Sequence, residues 1–299
     1  MEESKEIFEK GPLTCLGCGL AIATRMITRN IRKKPIIVLA TGCLEVTTTQ
    51  YPYTHFNCPV IHGAFENAPA IASGVYRALK AQGLERDIDI IVLAGDGATF
   101  DIGFQSLSGM FERGEEVCYI CLDNEAYMNT GIQRSGATPL YALTTTTPSD
   151  TVMRGKMEER KQVALIFGMH NVRYVATATL GYHVDFISKV KKALQMKPSF
   201  LHVLTPCPTG WGFDSEDTIK ISKLAVETCF FPLFEIEDGY LKLTQKITKK
   251  TPVRDFLKLQ KRFSHLSDEE IDKIQELVDR NYNYLLELEK AGKVFYQFS

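Results

Sequence analysis

Short, mostly apolar runs of residues recur along the chain and predict the strands of a buried sheet. Strands covered on both faces lack the alternation of apolar and polar residues that half-exposed strands have. The runs lie at residues 35–40, 88–94, 117–122, 173–177 and 200–204. Segments with helical spacing separate them, at 20–32, from about 66 onward, and at 163–170, 185–195 and 219–228. This alternation predicts an α/β fold with a doubly wound, mainly parallel sheet.

The pattern changes in the last quarter of the chain. Residues 230–243 are typical of a β-hairpin, because two apolar segments flank an Asp-Gly turn. Ser267 and Glu270 have the spacing of a capping box, which predicts a helix from there to about Lys290. We expect this C-terminal segment to clamp onto the rest of the chain or onto a neighbouring subunit.

Length and charge limit the classes of function. The 299 residues can form a sizeable core, and we predict one catalytic domain over 1–250 with a helical extension over 251–299. The formal net charge of −1 gives no support to nucleic acid as a partner. The N-terminal segment is charged, and no apolar run approaches the roughly 18 residues that cross a bilayer. We therefore expect a cytoplasmic protein that binds neither nucleic acid nor a membrane.

Two predicted strands end in side chains that carry oxygen. Gly95-Asp96-Gly97 follows one strand and Asn124 follows the next. Because ligands of an open parallel sheet bind at the carboxyl ends of its strands, Asp96 and Asn124 can converge on one cation. Mg²⁺ takes about six oxygens and commonly shares them with phosphates. These side chains and a backbone carbonyl just after Asn124 therefore predict a magnesium diphosphate site, which the glycines let the backbone approach.

Four of the eight cysteines lie in a turn or at predicted strand ends. Cys15 and Cys18 form a CxxC motif in a glycine-containing turn. Cys43 and Cys207 each follow a predicted strand at the edge where Asp96 is expected. In the reducing cytosol such a set is more typical of a metal centre than of disulfides. Four thiolates suit a [4Fe–4S] cluster or a zinc ion, and the spacing leaves both open.

The other four cysteines are expected to be structural. Cys118 and Cys121 also form a CxxC motif, but they lie within a predicted strand, where their side chains point to opposite faces. Cys58 and Cys229 have no partner at a useful spacing, and free cysteine is a common core residue.

The region from Gly95 to Gly131 carries a resemblance to a known family. A Gly-Asp-Gly at one strand end and an asparagine about 28 residues later resemble the fingerprint of thiamine diphosphate (TPP) enzymes. The segments DIGFQSLSGMFERG and DNEAYMNTGIQRSGATP resemble the beta, TPP-binding subunit of pyruvate:ferredoxin oxidoreductase, in the 2-oxoacid:ferredoxin oxidoreductase family. The resemblance covers about residues 11–265. It implies that the predicted domain has the TPP diphosphate-binding fold.

The resemblance also implies the roles of site residues. It assigns the four edge cysteines to a [4Fe–4S] cluster rather than to zinc, and it adds the Ala126 carbonyl to the Mg²⁺ ligands. It gives Asn129 a catalytic role, in which its side chain hydrogen bonds the reacting oxygen of the substrate. An asparagine that only turns the loop is the alternative. The expected cofactor contacts are Gly95, Asp96, Gly97, Ala98, Asn124, Ala126, Tyr127, Met128, Asn129, Thr130, Cys43, Glu45 and His62.

Some of these contacts have a simpler explanation. Glu45 can reach the cofactor edge, but a solvated surface acid is the plainer interpretation of its position. His62 lies in a segment that borders the cofactor in the family, together with Glu66 and Asn67. Those two residues can instead begin a helix, where an acid suits the helix dipole.

The resemblance implies a reaction that is shared between subunits. TPP enzymes activate their cofactor with a glutamate, and here an alpha subunit is expected to supply it with the pyrimidine-binding half of the site. The expected reaction is oxidative decarboxylation of pyruvate with coenzyme A to acetyl-CoA and CO₂. Electrons pass through the cluster to a ferredoxin-like delta subunit and then to external ferredoxin, and a gamma subunit completes the expected partners.

Several alternatives stay open. Oxalate, which needs no coenzyme A, and branched 2-oxoacids are the alternative substrates. Phe100 and Tyr141 depart from the usual family text and are expected to add bulk near the site, which disfavours a branched substrate. A noncatalytic zinc-bound scaffold subunit and a TPP carboligase are the alternatives of a different class.

Overall fold

Buried apolar segments form the strands of an eight-stranded sheet. In the computed structural model, which describes residues 6–150, 152–170 and 172–295, the strands are β1 (Lys34–Ala40), β2 (Val60–Gly63), β3 (Ile88–Gly95), β4 (Cys118–Asp123), β5 (Tyr174–Thr179), β6 (Ser199–Leu204), β7 (Phe234–Glu237) and β8 (Tyr240–Leu243). Their order across the sheet is β2-β1-β3-β4-β6-β5-β7-β8. The first six are parallel, and the β7–β8 hairpin pairs antiparallel with β5. The predicted sheet and hairpin are confirmed.

Helices cover both faces of the sheet, as a doubly wound fold requires. They are α1 (Gly19–Thr28), α2 (Cys43–Thr48), α3 (Ala68–Gln82), α4 (Phe104–Glu112), α5 (Val163–Gly168), α6 (His183–Gln195), α7 (Pro208–Trp211), α8 (Thr218–Glu227), α9 (Val253–Leu257) and α10 (Asp268–Ala291). A π-helical turn lies at Gly97–Ile102, and 3₁₀ turns lie at Leu180–Tyr182, Ser215–Asp217 and Lys261–Phe263. In the described part of the chain, every helix is too short or too polar to span a bilayer.

The two faces of the sheet bury separate apolar layers. On one face, α1 and α6 pack with strand residues such as Ile120 and Leu201. On the other face, α3, α4, α8 and α10 pack with strand residues such as Tyr119 and Phe200. Neighbouring residues of one strand thus point into different layers. This double burial explains why the strands lack polar alternation.

The C-terminal segment packs along the sheet domain. α9 contacts α8, and α10 contacts α9 and β8. The predicted capping box is confirmed, because Ser267 Oγ accepts a hydrogen bond from the Glu270 N–H and the Glu270 side chain accepts one from the Ser267 N–H. Division of the chain at residue 250 stays a prediction.

Two local predictions are wrong. Residues 60–63 form β2, parallel to β1, where the sequence pattern predicts no strand. Four residues with partly exposed side chains give too short a pattern to be recognised as a strand. Helix α1 ends at Thr28 instead of Arg32, and the Asn30 side-chain amide donates a hydrogen bond to the Met26 carbonyl of the last turn at 2.7 Å.

Candidate cofactor and metal site

The loops that follow β1, β3, β4 and β6 meet at one edge of the sheet, since these strands are parallel neighbours. Cys43 begins α2 just after β1, and Asp96 follows β3 directly. Asn124 follows β4, and Cys207 precedes α7 after β6. Residues that the sequence predicts for one site therefore lie at one edge.

Three oxygen atoms face one another at this edge. Asn124 Oδ1 lies 3.1 Å from Asp96 Oδ1 and 2.8 Å from the Ala126 carbonyl oxygen. Exchanging the amide oxygen and nitrogen would give two hydrogen bonds, but it would remove one oxygen from the group. A cation that needs oxygen ligands uses all three as they stand. A carboxylate, an amide oxygen and a carbonyl fit the ligand preference of Mg²⁺.

The environment of Asp96 favours a positive partner. The carboxyl group is buried, with 1% of the residue exposed, and its Oδ2 accepts a hydrogen bond from Ser135 Oγ. Burial, and next the negative charge of Asp123, raise the pKa of Asp96 well above its usual range. A cation beside Asp96 would offset both effects and hold the carboxylate in its charged form.

A small cavity adjoins the three oxygens. Its lining is Thr41, Gly42, Cys43, Phe65, Gly95, Asp96, Gly97, Ala98, Asn124, Ala126, Tyr127, Met128, Asn129 and Thr130. We call it the cofactor cavity. It encloses about 30 Å³, whereas a site that surrounds a drug-sized ligand encloses roughly 300–1,000 Å³. This chain therefore surrounds only one end of a cofactor-sized molecule.

Gly97 and Tyr127 shape the floor of the cofactor cavity. A Cβ at Gly97 would overlap the Tyr127 ring, so only glycine fits there. The Tyr127 hydroxyl donates to the Gly97 carbonyl at 3.1 Å, and the ring packs edge-on against Phe65. Burial raises the pKa of Tyr127 to about 12, so its phenol is neutral at physiological pH. Asn129 and Thr130 are exposed at the rim of the cavity.

Glu45 and His62 lie near this edge but pair with each other. Their side chains approach to 3.1 Å, between Glu45 Oε1 and His62 Nδ1, and neither residue lines the cofactor cavity. Glu45 is 7% exposed, so the interpretation as a solvated surface acid is wrong. Asn67 directly precedes α3, in agreement with a helix start. Contact of these residues with a cofactor stays a prediction.

A second cavity lies beside the first and is lined by cysteines. Cys15, Cys18, Cys43 and Cys207 all line this cysteine cavity, which encloses about 210 Å³. The residues that it shares with the cofactor cavity are Cys43, Asn124, Met128 and Asn129. The two cavities are therefore separated by single side chains.

Burial favours the neutral form of three thiols in the cysteine cavity. Burial raises the pKa of Cys18, that of Cys43 to about 12 and that of Cys207 to about 11. The Gly210 N–H donates to Cys207 Sγ at 3.3 Å, which partly counters burial. Among the described residues, no three His, Cys, Asp or Glu side chains lie together closely enough to hold a single metal ion.

The remaining cysteines follow the structural expectation. Cys118 and Cys121 are buried in opposite apolar layers of the sheet. Cys229 is buried in one apolar layer of the sheet, and Cys58 is half-buried against the other layer.

Phe100 and Tyr141 do not act as sequence reasoning expects. Phe100 is fully buried, with its ring 5.3 Å from that of His202. Tyr141 packs against the same apolar layer. Neither residue lines the cofactor cavity or the cysteine cavity, so the bulk of these side chains does not constrain the substrate there.

Sequence reasoning missed three residues that support the loop after β4. Ser135 binds Asp96, and Glu125 lies between two of the predicted metal ligands. Arg262 reaches Glu125 from the C-terminal segment, 137 positions away. An acidic residue in a loop that becomes buried indicates that a basic partner is needed. Which arginine supplies that partner is known only from the fold. Trp211 packs this region, and it is fully buried.

Comparison with known sequences gives a consistent set of relatives. The family described as "Thiamine pyrophosphate enzyme, C-terminal TPP binding domain" matches residues 40–203. Pyruvate synthase subunit PorB of Methanocaldococcus jannaschii is 50% identical, over 94% of this chain and 97% of the relative. PorB of Thermotoga maritima is 46% identical, and ketoisovalerate oxidoreductase subunit VorB of Pyrococcus furiosus is 41% identical. Both alignments cover 97% of this chain and 95% of the relative.

A solved structure has a similar fold. It is a 2-oxoglutarate:ferredoxin oxidoreductase from Magnetococcus marinus with 2-oxoglutarate, coenzyme A and succinyl-CoA bound. The TM-score is 0.61 with 25% sequence identity, and the match covers 75% of this chain and 74% of that one.

Proposed function

Because this chain belongs to the 2-oxoacid:ferredoxin oxidoreductase family, we propose that it is the TPP-binding, [4Fe–4S]-carrying subunit of a pyruvate:ferredoxin oxidoreductase. In the proposed reaction, pyruvate and coenzyme A give acetyl-CoA, CO₂, a proton and two electrons. A [4Fe–4S] cluster held by Cys15, Cys18, Cys43 and Cys207 would accept the electrons one at a time and pass them on to ferredoxin.

One observation carries the proposal, and it is the contact between the two cavities. An oxygen site for a divalent cation lies next to a cavity lined by four thiols, and Cys43 and Met128 belong to both linings. Neither a decarboxylase nor a carboligase needs a one-electron acceptor beside its cofactor site. An oxidoreductase uses both sites together.

The residues of the cofactor cavity fit a magnesium diphosphate. Asp96, Asn124 and Ala126 would hold Mg²⁺ through their oxygens, and the diphosphate would complete its coordination. Bound TPP supplies the nucleophilic carbon for decarboxylation. Asn129 lies exposed at the rim, where its amide can hydrogen bond the oxygen of the 2-oxoacid on which negative charge develops.

The cysteine cavity fits an iron–sulfur cluster better than zinc. Zinc binds thiolates at about 2.3 Å, which would draw the four sulfurs tightly around one ion. The cavity of about 210 Å³ has room for a centre of several atoms. Because burial keeps the thiols of Cys43 and Cys207 protonated, loading a cationic centre would release their protons.

The shape of the site supports the participation of partner subunits. The cofactor cavity encloses too little volume to surround TPP, so we propose that an alpha subunit supplies the pyrimidine-binding half and the activating glutamate. A gamma subunit, a ferredoxin-like delta subunit and external ferredoxin complete the proposed assembly. The related enzyme with coenzyme A and succinyl-CoA bound supports coenzyme A as the acyl acceptor.

Pyruvate is the substrate that the relatives favour. Subunits named for pyruvate synthase are 46–50% identical to this chain, against 41% for one named for ketoisovalerate. This order supports pyruvate, and a branched 2-oxoacid is the second candidate because its relative matches 97% of the chain.

Reduction of a viologen dye under anaerobic conditions tests the proposal. The intact complex is assayed with pyruvate plus coenzyme A, with ketoisovalerate plus coenzyme A, and with oxalate alone. We expect the highest kcat/KM with pyruvate and no pyruvate-dependent reduction when coenzyme A is omitted. A preference for ketoisovalerate or oxalate would keep the family and replace the substrate. Acyl product without dye reduction would identify a carboligase.

A further inference from the structure

Glu125 lies between Asn124 and Ala126, two of the proposed Mg²⁺ ligands, in an unusual backbone conformation. Its φ of +65° is in the left-handed region, which residues other than glycine adopt at an energetic cost. Its N–H donates to Asp123 Oδ1 at 2.7 Å, and its carbonyl accepts from Thr138 Oγ1 at 2.6 Å. This turn lies between the two flanking oxygens, with Asn124 Oδ1 2.8 Å from the Ala126 carbonyl oxygen and 3.1 Å from Asp96 Oδ1.

The Glu125 side chain is held by two arginines. Arg160 Nη1 lies 3.1 Å from Oε1, and Arg262 Nη2 lies 2.6 Å from Oε2. The carboxylate is completely buried, and the Arg262 side chain is 4% exposed. A buried carboxylate that loses its charged partner strongly destabilises its surroundings. The position of Glu125 therefore depends on the arginines.

Arg262 contacts the same loop a second time through Trp211. Its guanidinium carbon lies 3.9 Å from the centroid of the Trp211 ring. The Trp211 Nε1–H donates to the Asn124 carbonyl at 2.8 Å. A planar guanidinium can stack on a ring and bind a carboxylate at once, which a lysine ammonium cannot do with the same geometry.

We propose that Arg262 is a positioning residue for the Mg²⁺ site. Through Glu125 and Trp211 it fixes the loop of residues 124–126 so that Asn124 Oδ1 lies between Asp96 Oδ1 and the Ala126 carbonyl oxygen. The inference rests on the proposed function, because it concerns the metal that holds TPP. It gives the C-terminal segment, where sequence reasoning finds no chemistry, a direct effect on cofactor binding.

Magnesium-dependent binding of TPP tests this role. The intact complex, stripped of TPP and Mg²⁺, is titrated with TPP by calorimetry at a series of Mg²⁺ concentrations. Residues that orient metal ligands typically change metal affinity by about 10- to 100-fold. We expect Arg262→Gln to raise the Mg²⁺ concentration for half-maximal TPP binding by about that factor. Arg262→Lys should recover part of the loss, since it restores the charge but not the planar fork.

Arg280→Gln is the matched control. Arg280 also lies in the C-terminal segment and pairs with a glutamate of the sheet domain, Glu159, but that pair is exposed. We expect wild-type Mg²⁺ dependence in this variant. A shift equal to that of Arg262→Gln would mean that any loosened C-terminal contact weakens the site, and it would overturn the specific role of Arg262.

A second variant guards against a general loss of structure. Glu125→Gln keeps the shape of the side chain and removes its charge, and it should shift the Mg²⁺ dependence in the same direction as Arg262→Gln. Because the two residues act through one contact, the double variant should show less than the sum of the single effects. Thermal unfolding of each complex identifies the folded variants used in this comparison.

The outcomes separate the inference from the proposed function. TPP binding by the wild-type complex that needs no divalent cation would overturn the metal assignment and the inference together. Magnesium-dependent binding in the wild type, unchanged in folded Arg262→Gln or strictly additive in the double variant, would overturn the inference alone.

Discussion

The chain contains two CxxC motifs with the same spacing, and they lie in opposite environments. Cys15 and Cys18 belong to a turn that lines the cysteine cavity. Cys118 and Cys121 belong to β4, where both side chains are completely buried in different apolar layers. In the first motif, the Cys18 N–H donates to the Cys15 carbonyl at 3.1 Å and closes the turn. The second motif has extended backbone, which sends the thiols apart.

This difference teaches that the backbone decides what a cysteine spacing can do. Gly17 lets the first motif turn, because its φ is +67° and a Cβ there would overlap the Ser215 carbonyl. The Gly17 carbonyl in turn accepts from Thr218 Oγ1 at 2.6 Å. The turn is thus fixed by contacts with a segment about 200 positions later in the chain.

Replacing one cysteine in each CxxC motif should give the largest difference between two variants, measured as iron content. Cys18→Ser removes a ligand and should lose the cluster of this subunit, about four iron atoms. Cys118→Ser should keep them, and its hydroxyl can use the Ser199 contact of the native thiol. Iron and sulfide analysis of the two purified complexes measures the difference. Equal iron loss in both variants would overturn the choice of ligands.

Asp96→Ala should impair the cofactor cavity and leave the cysteine cavity at the same edge unaffected. Removing the carboxylate takes one oxygen from the Mg²⁺ group, so Mg²⁺-dependent TPP binding should fall below detection while the iron content stays at the wild-type level. Calorimetry with TPP and iron analysis on one preparation give both readouts. Normal TPP affinity in this variant would contradict the metal assignment.

Gly17→Ala should show whether the turn matters when all four thiols remain. The added Cβ meets backbone atoms that cannot move easily, so we expect partial iron loss and a destabilisation of about 1–3 kcal/mol. Gly83→Ala is the matched control, because Gly83 has a φ of +69° but open space around its Cβ position. Gly83→Ala therefore introduces the strain of a left-handed backbone without a steric overlap. Iron content and thermal unfolding are measured for both variants. Equal results for Gly17→Ala and Gly83→Ala would mean that the turn does not affect cluster binding.

The smallest expected effect is a pH dependence of the buried motif. Burial raises the pKa of Cys118 to about 11, so the fold favours its neutral thiol. That contribution to stability is present below the ordinary thiol pKa of about 8.5 and is lost as the pH rises through about 11. The difference in urea midpoint between the wild-type chain and Cys118→Ser should therefore shrink from pH 8 to pH 11. A constant difference would mean that Cys118 does not titrate with unfolding.

The sequence predicts the sheet and the edge of the site because both depend on local patterns. Buried strands such as 88–94 are mostly apolar runs, and the polar residues Asp96 and Asn124 lie just beyond the ends of two such runs. Parallel strands must then bring those residues to one edge. The capping box at Ser267 is predictable for the same reason, since four neighbouring residues contain the whole signal.

The supporting contacts of the site depend on residues far apart in the chain. Arg262 meets Glu125 only after the C-terminal segment folds onto the sheet domain, and no local pattern links the two positions. The left-handed turn at Glu125 is equally hidden, because left-handed turns usually carry glycine or asparagine. The ion pair of Glu45 and His62 requires β2 to lie beside β1, and β2 is too short to be recognised.

Trp211 gives the chain an optical property that follows from its position. It is the single tryptophan of the sequence. Its ring is stacked by Arg262, and its Nε1–H binds the Asn124 carbonyl at 2.8 Å. The emission wavelength of indole depends on the polarity and hydrogen bonding around the ring. Movement of the loop after β4 should therefore shift the emission wavelength of Trp211. We therefore expect the fluorescence of Trp211 to report on movement of the loop after β4.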